Sequence, residues 1–167
     1  MATWDNFDGL EVNFGLDRSA LMPGGKTAVH AHKTLKHKFD FNDIANTDTA
    51  APSPHEASIP AGSVIVRAYL YVTTAFAGAT AALDIGLKQD DGTNTDDDGI
   101  DAAIAVTALD AVGDVILCDG ALVAQETGDL TGVRFTEDQW IMTTWDTAAF
   151  TAGEATLVVE YLEIEDV

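Results

Sequence analysis

The residues best placed to do chemistry in this chain are two histidines two positions apart, His30-Ala31-His32. On a strand, positions i and i+2 share a face, so both imidazoles can reach one metal ion. A metal centre needs three or four ligands. A strand-borne centre of this type adds a Glu a few residues on and a third His from a later strand. Here the following residues are KTLKHKFD, without Glu, and His37 falls on the opposite face of an unbroken strand. No His follows the Ile59-Pro60-Ala61-Gly62 turn. The pair therefore reads as a solvated strand edge shared with Lys26, Lys33, Lys36 and Lys38, four of the chain's eight cationic residues. Lysines on an edge discourage pairing with foreign strands. They also make this stretch a basic patch on an acidic chain, suited to docking on an acidic surface, another copy of the chain included.

The second candidate is the acidic stretch Asn94-Thr95-Asp96-Asp97-Asp98-Gly99. Asn94, Asp96 and Asp98 place oxygen ligands at alternate positions, with Gly99 at the sharp turn, like the first half of a helix-loop-helix calcium loop. The second half fails. Position 12 of that register is Ala105, where a bidentate Glu is required, and Leu83 to Leu87 reads as a strand rather than the entering helix. The stretch reads as a solvated acidic loop, Asp90 to Gly99, with calcium as a weaker alternative. Covalent catalysis has less support still. Ser19, Ser53, Ser58 and Ser63 lie in no G-x-S-x-G context. Cys118, the sole cysteine, ends an apolar strand as a core thiol, and a single cysteine excludes an internal disulfide. Glu126, Asp129, Glu137 and Asp138 could supply a carboxylate pair, as any acidic sequence does by chance. No phosphate loop or dinucleotide fingerprint is present.

The elements that must position these groups are strands. Leu10, Val12, Phe14 and Leu16 alternate with polar residues, and so do Leu35, His37, Phe39 and Phe41. Residues 42–58, with Pro52 and Pro54, read as a polar linker or long loop, which divides the chain into an N-terminal part (1–58) and a sandwich domain (59–167). Val64 to Thr74 is a long β-branched and aromatic run. One face carries Val64, Val66, Ala68, Leu70 and Val72, the other Ile65, Arg67, Tyr69 and Tyr71, as in a strand covered on both sides. Further strands are expected at Ala81–Leu87, Val115–Leu117, Ala121–Ala124, Val133–Phe135, Gln139–Trp145 and Ala155–Ile164. Ile100, Ala103 and Ile104 have helical spacing, which predicts one short helix within Ile100–Leu109. Many short strands with at most one short helix define an all-β fold, an antiparallel β-sandwich or jelly roll.

Composition narrows function from the other side. The 167 residues carry 28 acidic and 8 basic side chains, a net charge of −20. Such a surface repels phosphate and anionic headgroups, which argues against nucleic acid and membrane as partners. At 47% hydrophobic residues the chain has the means to fold. No apolar run approaches the ~20 residues of a membrane span, and the N-terminus shows no secretion signal. The acidity suits a salty medium equally as it suits an acidic protein of no special habitat.

At IPAGSVIVRAYLYVTTAF (Ile59 to Phe76), followed by AALDIGL (Ala81 to Leu87), the sequence resembles small virion structural proteins of tailed bacteriophages and related tailed viruses. The Asp- and Gly-rich DDGTNTDDDGIDAAIA and the closing strand Ala152 to Tyr161 extend the resemblance over about residues 59–162. It implies a β-sandwich without enzymatic activity or cofactor. It also implies a location in the virion at the capsid surface, as decoration or cement, with the major capsid protein and copies of the chain itself as partners. The N-terminal third lies outside it. In that picture Trp4, Phe7 and Phe14 form an arm over neighbouring subunits, and Lys33, Lys36 and Lys38 form a docking edge. The alternatives are a tail or head-fibre component and a carbohydrate-binding module stacking sugars on Tyr69, Tyr71, Trp140 or Trp145. A metal enzyme of cupin type ranks behind both.

Overall fold

The computed structural model describes residues 2–5, 11–14, 32–47, 57–118, 130 and 132–164. The chain divides into two compact units, Met1–His30 and Ala31–Val167. In the first, β1 (Ala2–Asp5) and β2 (Glu11–Phe14) pair antiparallel, with Ala2 opposite Phe14 and Trp4 opposite Val12. Phe7, His30 and the expected strand at Ala121–Ala124 lie outside the described residues.

The second unit contains β3 (His32–Asp40), β4 (Ser58–Ile59), β5 (Ser63–Ala77), β6 (Ala82–Lys88), β7 (Asn94–Ala105), β8 (Val115–Cys118), β9 (Gln139–Asp146) and β10 (Ala152–Glu163). They form two four-stranded antiparallel sheets, ordered β3-β10-β5-β8 and β4-β9-β6-β7. The architecture is an all-β sandwich, as the alternating sequence requires. Leu70, Val72, Leu157 and Val159 of one sheet and Leu83, Ile85, Leu87 and Ile141 of the other are at most 3% exposed and share one core cluster. Each such side chain contributes about 1.5–3 kcal/mol through burial.

β3 pairs with β10 along nine positions, from Asp40 opposite Glu154 to His32 opposite Leu162. The polar stretch after it is pinned where it is described: Ile44 is buried, and the Trp145 N–H donates to the Ala45 carbonyl at 2.9 Å. The compact unit therefore begins near Ala31, and the sandwich includes β3, which the linker-based division had placed with the arm.

Simple alternation fails in β5. Ala68, Leu70 and Val72 point inward as even positions, yet Ile65 is also buried while Val66 is 40% exposed. A bulge explains this. Glu160 of β10 pairs with Arg67 and Tyr161 pairs with Ile65, so Val66 is the extra residue and the faces exchange across it. Nor is the strand covered on both sides, for Tyr71 on its outer face is 42% exposed. A second irregularity accommodates Phe76. A Cβ on Gly153, at φ +133°, would lie 2.1 Å from the Phe76 ring, so only glycine lets β10 cross there.

The expected helix within Ile100–Leu109 is replaced by strand through Ala105 and a single 3₁₀ turn at Val106–Ala108. Ile100 and Ile104 are both buried, and pairing with β6, with Ala105 opposite Ala82, Ile104 opposite Leu83 and Asp101 opposite Ile85, supplies the hydrogen bonds that select the strand.

Candidate functional site

The two sheets present outer faces of opposite character. On the β3-β10-β5-β8 sheet, the register generates rows across all four strands. Lys38, Thr156, Tyr71 and Val115 form one row, and Lys36, Val158, Tyr69 and Leu117 the next. Val115 and Leu117 are 61% and 69% exposed, and Tyr69 is half-buried. The third row, Thr34, Glu160 and Arg67, is closed by a bidentate ion pair, with Arg67 Nε and Nη2 donating to the two Glu160 oxygens at 2.8 Å each. Lys38 Nζ lies 2.9 Å from Glu154 Oε2, and the other Glu154 oxygen accepts from the Thr73 hydroxyl at 2.7 Å. These donors hold the Glu154 and Glu160 carboxyls below their ordinary range, chiefly through hydrogen bonds from Thr73 and Arg67 respectively. Lys33 pairs with Glu163, whose carboxylate holds the ammonium above its usual value. Exposed pairs add little to stability; their consequence here is that Glu154 and Glu160 are already paired, while Asp40, opposite Glu154, forms no ion pair among the described residues.

Lys33, Lys36 and Lys38, the residues of the expected docking edge, all lie on β3, but they do not face alike. Lys36 and Lys38 stand on the outer face, and Lys33 falls on the other parity with its Glu163 partner. His32 and His37 have opposite parity, and the His37 ring stacks on Phe39 at 5.8 Å. Of the arm residues, Trp4 and Phe14 belong to β1 and β2.

The outer face of the β4-β9-β6-β7 sheet is acidic. β7 carries several extra residues relative to β6: Ile85 pairs with Asp101 and Leu87 with Asp96, so Asp97 to Ile100 bulge between them. The bulge lies directly on Gly86, where a Cβ would come 2.0 Å from the Asp96 carbonyl oxygen and 2.4 Å from the Asp97 carbonyl carbon. Close approach of backbone to backbone is what glycine permits. The crossing gathers carboxylates. One oxygen from each of Asp96, Asp97 and Asp98 lies within 4.8 Å of the others. The Asp96 carboxyl is pushed up to about 6, first by burial, then by sharing a hydrogen bond with Asp98 and by the charges of Asp98 and Asp97. Asp84 is also raised, mainly by burial and with help from Asp98, Asp146 and Asp97, although the Ala103 N–H donates to its Oδ1 at 2.6 Å and opposes the shift. Ala103 reaches that position at φ +54°.

The expected loop at Asp90–Gly99 is therefore a correction: from Asn94 onward it is strand, because the edge of β6 pairs with it. Asn94 sits opposite Lys88, Asp96 opposite Leu87, and Asp98 in the bulge. Ala105, at the position where a calcium loop needs Glu, pairs with Ala82. What could have revealed the cluster is Gly86 in Leu-Asp-Ile-Gly-Leu, since a glycine inside a strand marks a bulge or a close crossing.

Other candidates are dispersed. Tyr69 and Tyr71 share one sheet, whereas Trp140 and Trp145 belong to the other, with Trp145 packed against the core. Asp138 Oδ1 accepts from the Ala61 N–H at 2.8 Å, which fixes a turn. Cys118 is buried at the end of β8. An open groove of about 520 Å³, lined by Ala61, Gly62, Arg134, Phe135 and Thr136, brings together no acid, histidine or thiol among the described residues.

No family model matches the chain, and no curated protein matches it. Solved structures do. A chain from the acidic stable capsid structure of Helicobacter pylori bacteriophage KHP30 aligns with 80% of this chain and 90% of its own length, at 15% identity and a TM-score of 0.53. A chain from the capsid of Ralstonia phage GP4 aligns with 87% of this chain and 92% of its own length, at 16% identity and a TM-score of 0.51. The likeness is one of fold.

Proposed function

We propose that the chain is a non-enzymatic structural protein of a tailed-phage virion that decorates and stabilises the head shell. The observation that carries the reading is the likeness of fold, which extends over four-fifths or more of this chain and about nine-tenths of chains taken from two phage capsids. The sandwich adds physical support. Its outer faces are an apolar surface on which Glu154 and Glu160 are ion-paired and an acidic one, as befits a protein with one side toward a partner and one toward water. The major capsid protein is the proposed partner, together with copies of the chain. The N-terminal segment bearing Trp4, Phe7 and Phe14 supplies a second contact, over neighbouring subunits.

Cryo-electron microscopy of purified source particles tests this. Density for the sandwich on the outside of the head, at a fixed stoichiometry to the shell subunit, is the expected result. Density confined to the tail or to head fibres would transfer the chain to one of those structures, and its absence from particles would overturn the virion role.

A further inference from the structure

We infer that the outer face of the β3-β10-β5-β8 sheet is the surface that docks on the shell, and that its occupant is a shell-protein surface combining apolar side chains with carboxylates at their margin. This rests on the decoration reading above.

Three observations lead there. First, the exposed large hydrophobic residues among those described are Val66, Tyr71, Val112, Val115, Leu117, Val133 and Ile164. All belong to this sheet or to segments adjoining it: β5, β8, the turn before β8, the residue beside the Arg134–Val64 bridge and the residue after β10. The outer face of the other sheet contributes none of them. Contiguous exposed apolar surface marks an interaction site, and tyrosine is enriched at the centres of such sites.

Second, charge separates the two faces. On a chain of −20, Glu160 is bound by Arg67 and Glu154 by Lys38. Approach to this face meets little of the repulsion that guards the β6–β7 face, where Asp84, Asp96, Asp97 and Asp98 crowd together.

Third, the cations choose the occupant. Lys36 is exposed in the same row as Val158, Tyr69 and Leu117, and among the described residues it forms no ion pair. A second copy apposed through the same face offers it, among the described residues of β3 and β10, one carboxylate outside an ion pair, Asp40 opposite Glu154, whose Oδ1 already accepts from the Asn42 N–H, and would bring a second −20 chain against the first. A shell surface with its own carboxylates satisfies Lys36 and covers the apolar rows together.

The test uses particles of the source virus prepared without this chain, by disruption of its gene, to which the purified full-length protein is added back. Wild-type protein rebinds if the decoration reading holds. Failure of wild type to bind defeats that reading and this inference with it. Given wild-type binding, Leu117→Glu and Tyr71→Glu are each expected to weaken it by about 30-fold or more, as central contacts do. Lys36→Glu should weaken it by about 10-fold, and the double change Asp97→Lys with Asp98→Lys should stay within about 3-fold of wild type because it lies on the outward face. Val115→Ser is the gentler variant to use if Leu117→Glu does not fold. Equal binding of the Leu117, Tyr71 and Val115 variants and wild type overturns the inference while leaving the decoration role intact, as does a greater loss in the Asp97/Asp98 variant. Sedimentation of the free chain supplies the remaining arm. If the face substitutions convert an oligomer to a smaller species, the face is a contact between copies and the shell assignment is overturned.

Discussion

Replacing Asp96 by Asn should stabilise the protein at neutral pH and have little effect in acid. The folded structure holds the Asp96 carboxyl at about 6, against an ordinary value of 3.8. A group whose folded value is raised binds its proton more tightly in the native state. Its favourable contribution is therefore complete below pH ~4, declines as pH rises toward 6, and is absent above about 7. A difference of about two units corresponds to ~3 kcal/mol, which solvent screening of this partly exposed side chain reduces to about 1–2 kcal/mol. Asparagine lacks the charge, yet its amide can donate to Asp98 at every pH, as the protonated acid does. Urea unfolding of wild type and Asp96→Asn at pH 4, 6 and 7.5 measures the effect. The variant should gain about 1–2 kcal/mol at pH 7.5, and the gap should close by pH 4. Carboxyls held low, such as Glu154 and Glu160, act with the opposite sign, losing their contribution as pH falls through their folded values, but they do so equally in both proteins and cancel in the difference. A gap that is independent of pH, or a variant less stable at pH 7.5, would refute the reasoning.

Gly86→Ala should cost at least about 3 kcal/mol, beyond ordinary overpacking, because the added Cβ meets backbone rather than a movable side chain; a melting midpoint within ~2 °C of wild type would sink the proposed crossing. Leu157→Ala, which empties a fully buried position at the centre of the β3-β10-β5-β8 sheet, should cost about 2–5 kcal/mol in denaturant unfolding. The melting midpoint should rise from low to molar sodium chloride, since 28 acids face 8 bases and salt shortens the reach of their repulsion; a steady fall would show that attractive pairs dominate. Deleting residues 1–30 should leave the unit Ala31–Val167 folded, with a sheet-type circular dichroism spectrum, while weakening attachment to particles; undiminished attachment would remove the arm from the mechanism.

Much of the fold is legible in the order of residues, because alternation is a local property. β3 and β10 show period two in sequence, and each has a burial pattern close to it in the structure, whereas β6 and β9 each bury four consecutive residues. The net charge and the lone Cys118 likewise need no coordinates. What escaped the sequence depends on partners distant along the chain. Ile100 and Ile104 are compatible with helix or strand, and the free edge of β6 decided between them. Val66 is exposed because β10 offers no residue opposite it. The aspartates of residues 96–98 are a charge run in sequence, and only the crossing of β7 over Gly86 turns them into a cluster that raises Asp96. Likewise Lys36, Val158, Tyr69 and Leu117 come from four separate strands, and the hydrogen-bonded register of β3, β10, β5 and β8 is what sets them in one row. Local pattern decides which face of a strand is apolar; pairing between distant segments decides which faces become neighbours, and a site is made of neighbours.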